Sequence, residues 1–267
     1  MQINLLYRPS QSLAQVWLAP NEAVVAESGA MVGMTPNVVM QTQSGGLMSG
    51  LKRMFGGESF FRNTFVAQGG QGEVLFATPL CGDMVVVEAG QRQWCIQNSA
   101  YVASSPTVEV KTKAGGVKGF FSGAGFFVLE TQGQGQVLLG SFGAIEPVQV
   151  DGSMVIDTGH IVAWEAHLQY QVTKSGSGWI ASFLSGEGLV CTFQGQGTVF
   201  VQSRNAAEYG STVGAMLPAR QSRRSPPCRA KSDTTPISAS SAWSSISRAS
   251  RSSPRPVRWW RATPPST

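Results

Sequence analysis

Three copies of one short pattern constrain this chain more than anything else in it: Gly70-Gln71-Gly72-Glu73-Val74, Gly133-Gln134-Gly135-Gln136-Val137 and Gly195-Gln196-Gly197-Thr198-Val199. The valines stand 63 and 62 positions apart. A near-constant period means that one structural unit is laid down three times. A second set of landmarks keeps step with the first. Glu27-Ser28-Gly29-Ala30-Met31-Val32 leads on to Val38 and Thr42, Gln97-Asn98-Ser99-Ala100-Tyr101-Val102 to Val108 and Thr112, and Asp157-Thr158-Gly159-His160-Ile161-Val162 to Leu168 and Val172. Each is a turn followed by a β-branched run. Between the two landmarks every copy carries a glycine-rich apolar stretch containing Gly45-Gly46, Gly115-Gly116, or Gly176 and Gly178. A unit of about 60 residues exceeds the roughly 20–50 of stacked solenoid repeats. Each is therefore expected to be a small β-unit, spanning residues 1–78, 79–141 and 142–220, with the three packed in a pseudo-threefold barrel or prism.

The local pattern predicts an all-β fold. Val74-Leu75-Phe76-Ala77, Met84-Val85-Val86-Val87-Glu88 and Val199-Phe200-Val201-Gln202 are short β-branched or aromatic runs bounded by turn formers, as in strands joined by tight turns. Met1 to Arg8 reads as a first strand. One short helix is expected over residues 48–55, where Leu47, Leu51, Met54 and Phe55 share a face. The Gly-Gln-Gly glycines are expected at turn or bulge positions with positive φ, each valine starting an inward-facing strand.

Composition narrows the function classes. No apolar run reaches 18 residues, so no membrane-crossing helix is expected. The first residues lack the basic and apolar regions of a secretion signal, which points to the cytoplasm. Cys81, Cys95, Cys191 and Cys228 show no C-x-x-C spacing, so neither zinc nor a redox dithiol is predicted, and the first three read as buried free thiols. The net charge of +5 is misleading. From Arg220 onward ten Lys and Arg face one Asp, a net of +9, which leaves −4 for residues 1–219. Residues 221–267 are rich in Ser, Arg and Pro, cannot bury a core and are expected to be disordered. Such a tail fits three readings: RNA or anionic membrane binding with Trp243, Trp259 and Trp260 as stacking or interfacial anchors, a plain flexible extension, or the product of a shifted reading frame in a GC-rich gene.

Several of these landmarks in order carry a resemblance. Glu22 with the Glu27-to-Val32 run, Gly45-Gly46 to Phe60-Phe61, Gly82-Asp83, the Asp157-to-Ala163 run and Phe193-Gln194-Gly195-Gln196-Gly197 resemble the altered inheritance of mitochondria 24 family over Met1 to about Arg220. That resemblance implies an all-β fold of internal repeats related to the tryptophan RNA-binding attenuation protein. It also implies kinship with mitochondrial proteins of inner-membrane organisation. It implies no catalytic residue, and the tail has no counterpart in the family pattern.

The residues themselves give little chemistry. Asp157-Thr158-Gly159 has the aspartic-protease tripeptide, but the corresponding Glu27-Ser28-Gly29 and Gln97-Asn98-Ser99 keep the turn and not the acid, so Asp157 is expected to cap a turn. His160 and His167, seven apart, would face opposite sides of one strand and make a poor metal pair. Gly119 to Gly125 lacks the flanking strand, helix and lysine of a phosphate loop. No catalytic residue, metal, cofactor or small-molecule substrate is predicted. The candidate contact residues are apolar and basic: Leu47, Met48, Leu51, Lys52, Arg53 and Phe55 in the first glycine-rich stretch, Phe120 and Phe121 in the second, Trp179 and Phe183 in the third. Pseudo-threefold packing would gather these at one end, either closing the barrel or forming a surface for a protein or an anionic membrane. The expected function is non-enzymatic binding or scaffolding, through self-association, a protein partner or peripheral membrane contact. RNA binding is the alternative, resting on fold analogy and the basic tail, with nucleic acid otherwise not expected as a partner.

Overall fold

Alternation of side chains decides the strands. In β2 (Leu13–Leu18), Ala14, Val16 and Leu18 turn inward and are fully buried while Trp17 stays in part outside. In β7 (Gly72–Phe76), Gly72, Val74 and Phe76 do the same, so the two strands pair with one apolar face between them. In this computed structural model the described residues are 1–42, 62–113, 127–174 and 189–218. The helix expected over residues 48–55 lies outside them.

The other strands are β1 (Gln2–Leu6), β3 (Ala23–Glu27), β4 (Met31–Met34), β5 (Val38–Thr42), β6 (Arg62–Ala67), β8 (Met84–Ala89), β9 (Trp94–Gln97), β10 (Tyr101–Ser104), β11 (Val108–Thr112), β12 (Val128–Gly133), β13 (Gly135–Gly140), β14 (Ile145–Asp157), β15 (Ile161–Glu165), β16 (Gln169–Lys174) and β17 (Leu189–Gln202). They form three antiparallel sheets, ordered β1-β2-β7-β4, β5-β6-β3-β10-β13-β8 and β11-β12-β9-β15-β17-β14, with β16 also paired to β17. β14 and β17 pair from Ile145↔Gln202 to Asp157↔Val190. Midway, Gly152 faces Gly195 and both have positive φ, at 91° and 117°. Glycine alone adopts that geometry cheaply.

Val74, Val137 and Val199 lie on β7, β13 and β17, and each is 0% exposed. Each such burial contributes roughly 1.5–3 kcal/mol. The core falls into three clusters, one around Val74 and Phe76, one around Val137 and Trp94, one around Val199 and Trp164. Aromatic pairs stiffen them. Phe65 meets Phe76 edge-on with centroids 5.5 Å apart, and Trp164 meets Phe193 at 5.6 Å.

Three expectations need correction. Positive φ holds at Gly133, Gly135 and Gly195 but not at Gly70, Gly72 or Gly197. Gly72 is required by crowding instead, since a Cβ there would come within 2.6 Å of Val38 Cγ2. Cys81 is exposed, because it lies in the loop before β8 and not on a strand, whereas Cys95 and Cys191 are buried strand residues. Finally, the one short helix is expected at residues 48–55, yet a helix, α1 (Ala206–Met216), follows β17. Asn205 starts it by accepting from the Ala207 and Glu208 amides at 3.0 and 3.4 Å.

The strongest polar tie joins the start of the chain to β8. Asp83 is 2% exposed and accepts from Arg8 Nε and Nη2 at 2.8 and 2.9 Å, from Ser12 Oγ at 2.8 Å and from the Met84 amide at 2.8 Å. Burial alone would raise its pKa, but these donors hold the carboxyl below its ordinary value. Gly82 beside it bridges to Gly143 so closely that a Cβ would overlap the Ser141 carbonyl. Asp83→Ala strands these donors, and a loss of about 2–4 kcal/mol is expected from urea unfolding with an unchanged m value. A loss under about 0.5 kcal/mol would show that the tie is dispensable.

Candidate functional site

None of the residues singled out for partner contact can be placed. Leu47, Met48, Leu51, Lys52, Arg53, Phe55, Phe120, Phe121, Trp179 and Phe183 all lie outside the described residues. What the structure does define is the framework they are attached to. The three glycine-rich stretches fall between β5 and β6, between β11 and β12, and between β16 and β17. In each case the flanking strands are antiparallel partners or, for the third, pair directly at Lys174↔Leu189.

Two further pairings, between strands flanking these hairpins, act as seams in the sheets. At the first, β10 pairs with β3 through Ala103↔Ala26 and Ser104↔Val25. The Tyr101 hydroxyl reaches across it, donating to the Val25 carbonyl at 3.2 Å and lying 2.9 Å from Ser104 Oγ. Burial pushes its pKa up to about 12 against the opposing influence of Ser104 and Arg62. Glu27 ends β3 directly opposite Arg62, and burial raises its pKa to about 7. At the second seam, β15 pairs with β9 through Ala163↔Ile96, Trp164↔Cys95 and Glu165↔Trp94. The buried Glu165 carboxylate accepts from Arg92 Nη1 and from the Thr198 amide, both at 3.3 Å. Lys113, just past β11, sets its ammonium 3.3 Å from Cys95 Sγ, 3.5 Å from Glu130 Oε1 and 5.6 Å from the centre of the Tyr170 ring on β16. The stems of the second and third hairpins are therefore neighbours. Burial works against the charge on Lys113, yet Cys95, Tyr170 and Glu130 around it raise its pKa.

The remaining sequence candidates take structural roles. Asp157 caps a turn, its Oδ1 accepting from the Gly159 amide at 2.7 Å, as the repeat comparison predicts. His160 and His167 do not share a strand. His160 sits in the turn before β15 and His167 in the turn after it, and each donates to a carbonyl, Gln202 and Gln196 respectively, at 2.8 Å. Among the described residues no group of three or more His, Cys, Asp or Glu is placed to hold a metal, and no helix is long and apolar enough to cross a membrane. Burial raises the pKa of Cys95 and takes Cys191 to about 12, so both thiols stay protonated near neutrality and are poor nucleophiles. Sequence reasoning used Asp83 only as a family landmark, with no structural role, and missed Glu165 and Lys113. For Asp83 a signal was present, an acid just before an apolar strand in a chain with few charges. For the other two, partners 73 and 18 positions away left none.

Three antiparallel sheets, stitched by main-chain pairing and pinned by polar side chains at their seams, define an all-β protein. The chain belongs to the Mitochondrial biogenesis AIM24 family, whose model matches residues 3–204. It is similar to Uncharacterized protein M6_Spy0233 of Streptococcus pyogenes serotype M6, 33% identical over 217 residues, with 77% of this chain and 87% of that protein covered. It is also similar to the crystal structure of protein SPYM3_0169 from Streptococcus pyogenes, with a TM-score of 0.70 and 30% identity over 81% of this chain and 99% of that one.

Glu27 generates a pH prediction. Its folded pKa near 7 lies above the ordinary value of 4.5, so between those limits the folded state holds a proton that the unfolded chain has released. The contribution of Glu27 to stability then falls as pH rises from about 4.5 to 7. Asp83, shifted downward from 3.8, titrates below that window. Glu27→Gln should flatten the slope and leave the variant more stable than wild type at pH 8, by about 1–2 kcal/mol once solvent screening of this half-buried group is allowed for. Urea midpoints of both proteins across this range test it, and parallel profiles would contradict it.

Proposed function

We propose that this protein is a non-enzymatic scaffold that acts by self-association, built from three tandem units in an arrangement akin to the tryptophan RNA-binding attenuation protein. One observation carries the reading: the same set of pairings occurs three times. β2·β7, β3·β6, β4·β7 and β5·β6 correspond to β8·β13, β9·β12, β10·β13 and β11·β12, and in the third set β14 and β17 each supply two strands to the same plan. The register shift falls at the same place in each, between Met31 and Gly33, Tyr101 and Ala103, Ile161 and Ala163. Units that join by strand pairing within a chain supply a rule by which chains join to one another.

The charge distribution supports a scaffold. Asp83 and Glu165, the buried carboxylates among the described residues, both have donors from other parts of the chain and act as pins. The unpaired buried thiols Cys95 and Cys191 suit a reducing compartment such as the cytoplasm. Sedimentation velocity of the full chain in a dilution series tests the proposal. The expected result is a reversible oligomer whose sedimentation coefficient rises with concentration and survives nuclease treatment. A monomer at every concentration would contradict it, and an oligomer dispersed by nuclease would favour RNA binding instead.

A further inference from the structure

Within the chain, each seam does two things. It pairs a strand of one unit with the edge of the unit before it, and it inserts a bulged valine into that unit's core. At the first seam β10 lies on β3, and Val102 and Ala103 belong to the cluster built around Val74 and Phe76. At the second β15 lies on β9, and Val162 and Ala163 belong to the cluster around Val137 and Trp94. Two ends of this series are left over. Among the described residues β4, which corresponds to β10 and β15, pairs with β7 alone, and the second half of β14, which corresponds to β3 and β9, pairs with β17 alone.

Exposure marks both ends as unfilled. Val32, at the position of Val102 and Val162, is 58% exposed where they are 2% and 0%. Val155, at the position of the fully buried Cys95, is 61% exposed. Met34 on β4 and Met154 on β14 are exposed as well. Neither edge carries the lysine or proline that ordinarily protects a free strand. The third cluster, around Val199 and Trp164, has no inserted valine. Instead, a groove of about 350 Å³ opens beside the β14 edge, lined by Val148, Met154, Val155, Ile156, His160 and Val201 among others. A groove of that size has room for a valine side chain.

We propose that the β4 edge of one copy pairs antiparallel with residues 153–157 of β14 in a second copy, seating Val32 in this groove. The register follows from the seams already present. Ala103↔Ala26 and Ala163↔Ile96 translate to Gly33 opposite Ile156, and Ser104↔Val25 and Trp164↔Cys95 to Met34 opposite Val155. The occupant is a copy of this chain because β4 is the strand that repeats the inserted pattern without a host. The contact is head-to-tail, so it closes into a ring or continues as a filament. It rests on the scaffold reading above and names the surface that performs it.

The test uses the full chain and two same-sign edge variants, Val32→Lys and Val155→Lys, both at exposed positions so that the monomer fold is kept. Each variant alone is expected to weaken self-association by roughly a hundredfold and to sediment as a monomer. Mixed in equal amounts they should form a dimer, because the V155K chain still offers an intact β4 and the V32K chain an intact β14. A variant that remains as associated as wild type, or a mixture that remains monomeric, overturns the proposal. If either variant melts well below wild type, Met34→Lys and Met154→Lys replace it on the same edge, with the same expectations. Wild-type protein that never associates would overturn the scaffold reading together with this one. Association that ignores the edge variants would overturn only the edge pairing.

Discussion

Two short strand pairings hold the rest of the molecule in place. β3·β10 has two register pairs and β9·β15 has three, yet these are the links that fuse the sets of strands into continuous sheets. So few main-chain bonds contribute little by themselves, each net intramolecular hydrogen bond being worth about 1 kcal/mol. The seams hold because apolar burial accompanies them, with Val102, Ala103, Val162 and Ala163 all at 2% exposure or less. Buried polar groups then fix the register: Tyr101 on the Val25 carbonyl at one seam, Glu165 with Arg92 and the Thr198 amide at the other. A slip of one residue would turn each inserted valine outward and leave these donors unmatched.

Much of the strand framework could be read from the chain because its information is local. The β-branched run at Met84 to Glu88, the Gly-Gln-Gly-x-Val pattern and the turn at Asp157 each encode a feature within a few residues, and β8, the inward valines and the Asp157 cap lie where that pattern puts them. Features that depend on distant partners were not legible. Nothing near Glu165 announces Arg92, and nothing near Gly72 announces that Val38 will crowd it. The helix α1 was missed for a different reason. Gly210, Ser211, Thr212, Val213 and Gly214 in its middle are weak helix formers, and only the Asn205 cap with Glu208 three residues on marks its start. The contact residues chosen from the glycine-rich stretches lie outside the described residues, and sequence reasoning did not single out the exposed apolar residues of the β4 and β14 edges.

The AIM24 family relationship and the similar Streptococcus pyogenes crystal structure, with its TM-score of 0.70, agree with a mostly β body. The polar groups that look most like chemistry are occupied. Asp157 caps, His160 and His167 tether neighbouring carbonyls, and Lys113 braces two hairpin stems across a seam.

Native-state hydrogen exchange on dilute protein, read at individual backbone amides, tests the seams most directly. If the seams hold the body together, the amides of β3, β9, β10 and β15 will exchange only through global unfolding, with protection matching the stability measured by urea. The unpaired outer amides of β4 and of residues 153–157 will exchange orders of magnitude faster. Seam amides that exchange as fast as those at the two edges would contradict the account.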